Sequence, residues 1–437
     1  MFSLILSAAL TFDPGSNHAI VGAYAVEPKT GEVLINVNCE QSMIPASSLK
    51  VVTIDAALEI LGPEHRFKTD LEIDGVIENG ILQGNLYIHG GGDPCLGSNR
   101  VAGSLDWKEQ IEAWTKAIQE TGIQQIQGEV IGDATRWEKA QAVPSWSWED
   151  LGNYYGAGAS ALSFHENMYA LVFKPGSVGK EAEIVRTEPT IAGLAFQNEV
   201  LTGPEGSGDQ ACIYGSEYSF VQYVRGTVPA GVTEFKIKGA IPDPAKFCAD
   251  LLAKSLESKG IAILKNKMQG SPRKVIHTTL SPTVAEIVYW TNQESINLYA
   301  EHLLKRLGEV VFQEGSTRAG IKATVQFWKS KNIDLEGFNM VDGSGLSRKN
   351  LVTAKQLVSM MMTMKTSPHY PIFLRSLPSE GGGLKAKSGS MSLILCHVGY
   401  AGDTPFALLV NQHLERKKLN KKVGEFLTQL EDRKNSE

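Results

Sequence analysis

The sequence predicts a mixed α/β (α+β) fold in which a β-rich middle is inserted within one domain. Three observations predict it. An alternating strand pair near the N-terminus runs directly into an apolar helical stretch. Short alternating segments punctuated by glycine fill residues 168–238, and helical stretches followed by two strands close the chain. No internal repeat, low-complexity tract or long linker separates these parts, so the middle reads as an insertion and not as a bead on a string. At 437 residues the chain is long enough for two or three compact units.

Composition narrows the function classes. A formal net charge of -6 with mixed signs gives no phosphate-binding surface, so no nucleic-acid partner is expected. The five cysteines, at 39, 95, 212, 248 and 396, have no C-x-x-C spacing, which argues against a zinc site or a redox pair. They read as small core residues, and the odd count leaves at least one thiol outside any intrachain disulfide. Residues 1–10 are apolar and uncharged. They are either an export signal, atypical or incomplete because it lacks a basic start, or an apolar N-terminal segment of the fold. The stretch is too short to span a bilayer as a helix, and no other run is long enough.

Taken in order, residues 19–26 and 32–37 alternate around the turn Pro28-Lys29-Thr30-Gly31 and form a hairpin. The helix that follows opens at Ile44-Pro45-Ala46-Ser47-Ser48-Leu49-Lys50 and is stopped by Gly62-Pro63. Pro45 suits a first helical position, where its missing N–H costs nothing. Ser47 and Lys50 are three apart and share a face, whereas Ser48 points elsewhere. If a nucleophile and its base lie here, they are Ser47 and Lys50. Taken alone, S-x-x-K is a weak signal.

Residues 67–89 read as antiparallel strands, 107–121 as an amphipathic helix, 126–133 as a strand and 242–259 as a helix begun by Pro242-Asp243-Pro244. Two glycine clusters invite a phosphate-loop reading, and neither sustains it. Gly90-Gly91-Gly92 has no lysine, and Gly176 to Lys180 has the wrong spacing with no Ser or Thr after the lysine.

Ser295-Ile296-Asn297 falls in a break between helices at 286–291 and 298–307. Two residues apart in an extended turn, Ser295 and Asn297 can face one space, although Ser295 alone reads as a helix N-cap. Lys387-Ser388-Gly389 enters a strand pair at 393–400 and 406–411. There the lysine supplies charge, the hydroxyl donates to a carboxylate, and the glycine lets a substrate backbone lie close. Asp342-Gly343-Ser344-Gly345 lacks the spacing of a nucleophile elbow and reads as a tight turn lining the cleft. The basic tail 416–430 has apolar residues at helical spacing and reads as a docking helix with a solvated face.

In this order, S-x-x-K, S-x-N and K-[TS]-G resemble the signature of the penicillin-interacting serine acyltransferases. About 250 residues separate Ser47 from Ser295, far more than a one-domain β-lactamase needs. The chain is similar to the low-molecular-weight class C penicillin-binding proteins, the D-alanyl-D-alanine carboxypeptidase/endopeptidase family. The similarity runs through Pro45-Ala46-Ser47, Gly90 to Leu96, Ile131-Gly132-Asp133, Tyr155-Gly156-Ala157, Ser295 to Glu301, Asp342 to Arg348 and Lys385 to Gly389.

The resemblance implies a penicillin-binding transpeptidase/β-lactamase-like catalytic domain from residues 1–68 and 245–437. Residues 69–244 would form the inserted region, two nested smaller, mostly β domains. It further implies a serine carboxypeptidase, with endopeptidase action left open, that forms an acyl-enzyme on Ser47. Lys50 would be the base, Ser295 the proton carrier and Asn297 the group that orients Lys50. Lys387 and Ser388 would bind the terminal carboxylate beside Gly389. Ser390 would share the oxyanion hole with Ser47, and Asp150 would match the family's aspartate that meets a free diaminopimelate amine. Expected partners are peptidoglycan stem peptides ending in D-Ala-D-Ala and β-lactam antibiotics, met in the periplasm or outside the cell, with no metal or cofactor. The same motifs would serve a β-lactamase or a catalytically silent β-lactam sensor or scaffold. Ser388 stands where threonine is commoner, Ile296 occupies a variable position, and the lead before the first strand is short for the family.

Overall fold

The computed structural model describes residues 10–434 except Gln269 and Gly382. The apolar stretch at 1–10, read as signal or segment, lies outside the described residues apart from Leu10. The chain divides into two compact units, one of residues 1–63, 288–313 and 317–437, the other of 64–287 and 314–316.

The first unit is built on a six-stranded antiparallel sheet. Its order runs Ser379–Gly381, Leu384–Met391, Ile394–Ala401, Thr404–Asn411, Ile20–Val26, Val33–Val37. The N-terminal hairpin thus joins the C-terminal strands, with Ile20 opposite Asn411 and Ala25 opposite Phe406. Successive side chains take opposite faces. Ala23, Ala25, Leu395, Phe406, Leu408 and Val410 pack against Leu419, Val423, Phe426 and Leu430 of the helix Arg416–Lys434. On the other face lies the helix Ala354–Lys365, where Tyr400 Oη donates to the Met361 carbonyl at 2.7 Å. The helix Lys50–Leu61 is buried without interruption from Lys50 to Leu58, as its apolar composition requires. No helix among the described residues is long and apolar enough to cross a membrane.

The second unit contains four smaller sheets around its own apolar core, which includes Trp114, Phe164, Tyr169, Phe173 and Phe247. It closes later in the chain than the return at residue 245 expected from the sequence. The strand Arg273–Leu280 pairs antiparallel with Lys68–Asp74 along its whole length. The helix Pro244–Ser258 packs so tightly on the strand Val130–Asp133 that a Cβ at Gly132 would lie 2.1 Å from the Ala245 carbonyl oxygen. The helix buries Ala245, Phe247, Cys248, Ala249, Leu252 and Leu256, whereas the strand Arg273–Leu280 is mostly exposed and is held by its pairing; residues 273–280 carry no clean alternation to mark it. The expected strand 126–133 is also two short pieces, Gln125–Ile126 and Val130–Asp133, in different sheets.

Candidate active site

Ser47 lies in a 3₁₀ turn, Ala46–Leu49, and Lys50 is the first residue of the α-helix that continues it. Pro45 therefore precedes a 3₁₀ turn and does not open an α-helix. The tighter winding strengthens the pairing, because residues three apart eclipse at 3.0 residues per turn. Lys50 Nζ reaches Ser47 Oγ at 3.0 Å. The Ser48 hydroxyl is turned away and donates to the Pro45 carbonyl at 2.7 Å. Ala46, fully buried, is held at φ +48°. An L-residue there costs roughly 1–2 kcal/mol, a strain of the kind that functional sites store.

Lys50 makes two further contacts, with Asn297 Oδ1 at 2.6 Å and the Ser344 carbonyl at 2.8 Å. Its ammonium is held well below the usual lysine range, first by burial and then by the charge of Lys387, with Glu301 and Asp342 pulling the other way. Lys387, also buried, is pushed down to about 8 by loss of water, and donates to the Ser388 carbonyl at 2.8 Å.

Asn297 opens the helix Asn297–Phe312. Its N-cap is Ile296 with no side-chain cap, so Ser295 is not the capping residue that its type suggests. Ser295 is half-buried at φ +56°. The strand Leu384–Met391 brings up the last group. A Cβ at Gly389 would meet the Pro45 carbonyl oxygen at 2.4 Å and the Ser48 nitrogen at 2.7 Å. The missing side chain at Gly389 thus lets the Ser47 turn sit against the strand; the space expected for a substrate backbone at that atom is filled by protein. Alternation puts Lys387 and Gly389 on the side of this turn and Ser388 and Ser390 on the other, where Arg416 donates to Ser390 Oγ. On the side away from Ile394–Ala401 the strand has no partner strand beyond residue 386 among the described residues, which leaves that side open past Lys387, Ser388 and Gly389.

Asp150 lies in the second unit, half-buried on the short helix Trp148–Leu151, where burial first and then the Asp150 charge raise the Tyr155 phenol. The sequence reading gave no chemistry to the turn at 342–345 or to Glu301. The structure puts the Ser344 carbonyl on Lys50 and three backbone N–H bonds on Glu301. The available signal was a buried-type helix face carrying a glutamate one turn after Asn297.

The model of the D-Ala-D-Ala carboxypeptidase 3 (S13) family matches residues 6–430. A D-alanyl-D-alanine carboxypeptidase of an Actinomadura species is 27% identical over 443 residues, covering 93% of this chain and 80% of its own. The D-alanyl-D-alanine carboxypeptidase DacB of Haemophilus influenzae is 23% identical over 390 residues, covering 86% of this chain and 78% of its own. The crystal structure of penicillin binding protein 4 from Haemophilus influenzae shares the fold, with a TM-score of 0.79 at 21% identity, over 95% of this chain and 97% of that one. A complex of the same protein with a β-lactam gives a TM-score of 0.72 at 20% identity, over 91% of each chain. An S-x-x-K turn, an S-x-N helix start and a K-S-G strand share one unit, and the family match runs over residues 6–430: this protein belongs to the D-Ala-D-Ala carboxypeptidase 3 (S13) family.

Proposed function

We propose that the protein cleaves D-Ala-D-Ala peptides of peptidoglycan through an acyl-enzyme on Ser47, and that β-lactams acylate the same residue. The observation that carries this reading is the buried Lys50 Nζ, 3.0 Å from Ser47 Oγ and held below the usual lysine range. In its neutral form Lys50 takes the Ser47 proton as Oγ attacks the carbonyl carbon of the penultimate D-Ala. Backbone N–H groups of Ser47 and Ser390 receive the developing oxyanion, an effect on the order of 10²–10³ in rate per donor. The C–N bond then breaks as Ser295 passes a proton to the leaving D-Ala nitrogen, and water later hydrolyses the ester.

The substrate backbone lies along the open edge of the strand Leu384–Met391, as an added strand would. Lys387 and Ser388 take the terminal carboxylate, and Asn297 keeps Lys50 aimed. Endopeptidase cleavage of a cross-link uses the same intermediate and differs only in what leaves. Such a substrate places the protein outside the cytoplasm. For Asp150, as a partner of a free side-chain amine, the support is the resemblance of its segment to the family.

The test is D-Ala release from a peptide ending in Lys-D-Ala-D-Ala or its diaminopimelate equivalent. Wild type should release D-Ala and Ser47→Ala should not. Undiminished release by Ser47→Ala would defeat the reading, and rapid turnover of a chromogenic cephalosporin would replace it with a β-lactamase.

A further inference from the structure

Three oxygens surround Lys50 Nζ: Ser47 Oγ at 3.0 Å, Asn297 Oδ1 at 2.6 Å and the Ser344 carbonyl at 2.8 Å. An ammonium has an N–H for each. A neutral amine has two N–H groups and one lone pair. Asn297 Oδ1 and the Ser344 carbonyl can only accept, so they take both N–H groups and leave the lone pair facing the Ser47 hydroxyl. The Ser344 carbonyl therefore helps to set where the base points.

That peptide lies outside any helix or strand, and Glu301 holds it. The Glu301 carboxylate accepts the Gly343 N–H at 3.0 Å on each oxygen and the Ser344 N–H at 2.8 Å. Thr53, one turn along from Lys50, donates to the Gly343 carbonyl at 2.8 Å. Glu301 follows Asn297 by four residues on the helix Asn297–Phe312, so one helix face supports both acceptors of Lys50.

We propose that Glu301 is a positioning residue for acylation: by gripping the Gly343 and Ser344 amides it holds the Ser344 carbonyl on Lys50. This rests on the acyl-enzyme reading above. Burial and the Asp342 carboxylate push Glu301 up to about 7, against its backbone hydrogen bonds, so its charge changes near neutral pH. Lys387 lowers the basicity of Lys50, while Glu301 and Asp342 raise it. Asp342 grips the far end of the turn, accepting from Gly345 N–H at 2.8 Å, Ser347 N–H at 2.6 Å and Asn350 Nδ2 at 2.8 Å. His302 and Lys305 are the buried titratable neighbours on the helix of Glu301.

The experiment follows acylation by a fluorescent penicillin against pH, with thermal midpoints, in wild type, Glu301→Gln and Thr53→Val. Glu301→Gln should lower the plateau rate roughly ten- to a hundredfold, the scale of a misplaced catalytic group. It should also move the acid limb to lower pH, because removing a negative charge makes Lys50 less basic. Thr53→Val should lower the plateau and leave the limb in place. A Glu301→Gln profile like wild type overturns the proposal, as does a plateau that falls with the thermal midpoint while the limb stays put. Wild type that is not acylated at all removes the acyl-enzyme reading itself. If Glu301→Gln does not fold, carbon-13 NMR of glutamate-labelled wild type replaces it. One carboxyl that titrates near neutrality and moves on acylation supports the role, and none that does so overturns it.

Discussion

Lys50 and Asp55 share one helix, and each carries an ionisable group where water does not reach. Lys50 has three oxygen partners. Asp55 has no hydrogen-bond partner among the described residues for either carboxyl oxygen, and burial, reinforced by the Glu59 charge, raises it well above the usual carboxylate range. The sign of its effect on stability follows. The folded state keeps a proton that the unfolded chain releases near pH ~4, so this contribution is intact below that pH and is lost as pH rises through the folded pKa. Asp55→Asn removes that loss. Relative to wild type, the variant should gain up to about 1.4 kcal/mol in unfolding free energy per pH unit as pH rises above the ordinary carboxylate range. Urea denaturation at rising pH checks it; a difference that does not change with pH would mean Asp55 is ionised in the native protein. Sequence spacing revealed the Ser47–Lys50 pair because the contact is local. Nothing local distinguishes Asp55 from an exposed helical aspartate, since its burial comes from packing on the rest of the unit.

The strand Leu384–Met391 and the Ser47 turn behave as one element. Gly389 has protein backbone where its Cβ would be, and backbone cannot swing aside as a side chain can. Gly389→Ala should therefore cost about 1–3 kcal/mol in overpacking. It should also slow acylation on the order of 10²-fold by shifting the Ser47 turn. Penicillin acylation kinetics and the thermal midpoint measure both, and an unchanged acylation rate would show that the contact is slack. The K-S-G triplet was legible as a strand feature, but the reason for its glycine was not, because Pro45 lies more than three hundred residues away in sequence. The terminal helix was easier to read. Its apolar spacing alone marks the face carrying Leu419, Val423, Phe426 and Leu430 that packs on the sheet.

At the scale of the whole molecule, the proposed role of Asp150 in recognising a free side-chain amine can be tested directly. Asp150→Ala should weaken turnover of peptides with a free side-chain amine more than that of their acetylated forms. Parallel kcat/KM measurements on the two substrates decide it, and equal losses would remove Asp150 from recognition. The amino-acid order alone was enough for the class of fold, the Ser47–Lys50 contact and the three motifs that mark the family. These depend on short spacings that place side chains within one turn or one strand. Only the tertiary structure brought the N-terminal hairpin beside the C-terminal strands, closed the second unit near residue 287 rather than 245, and set the turn at 342–345 against Lys50. Each of these depends on burying surface or satisfying backbone groups across long sequence separations, where spacing carries no signal.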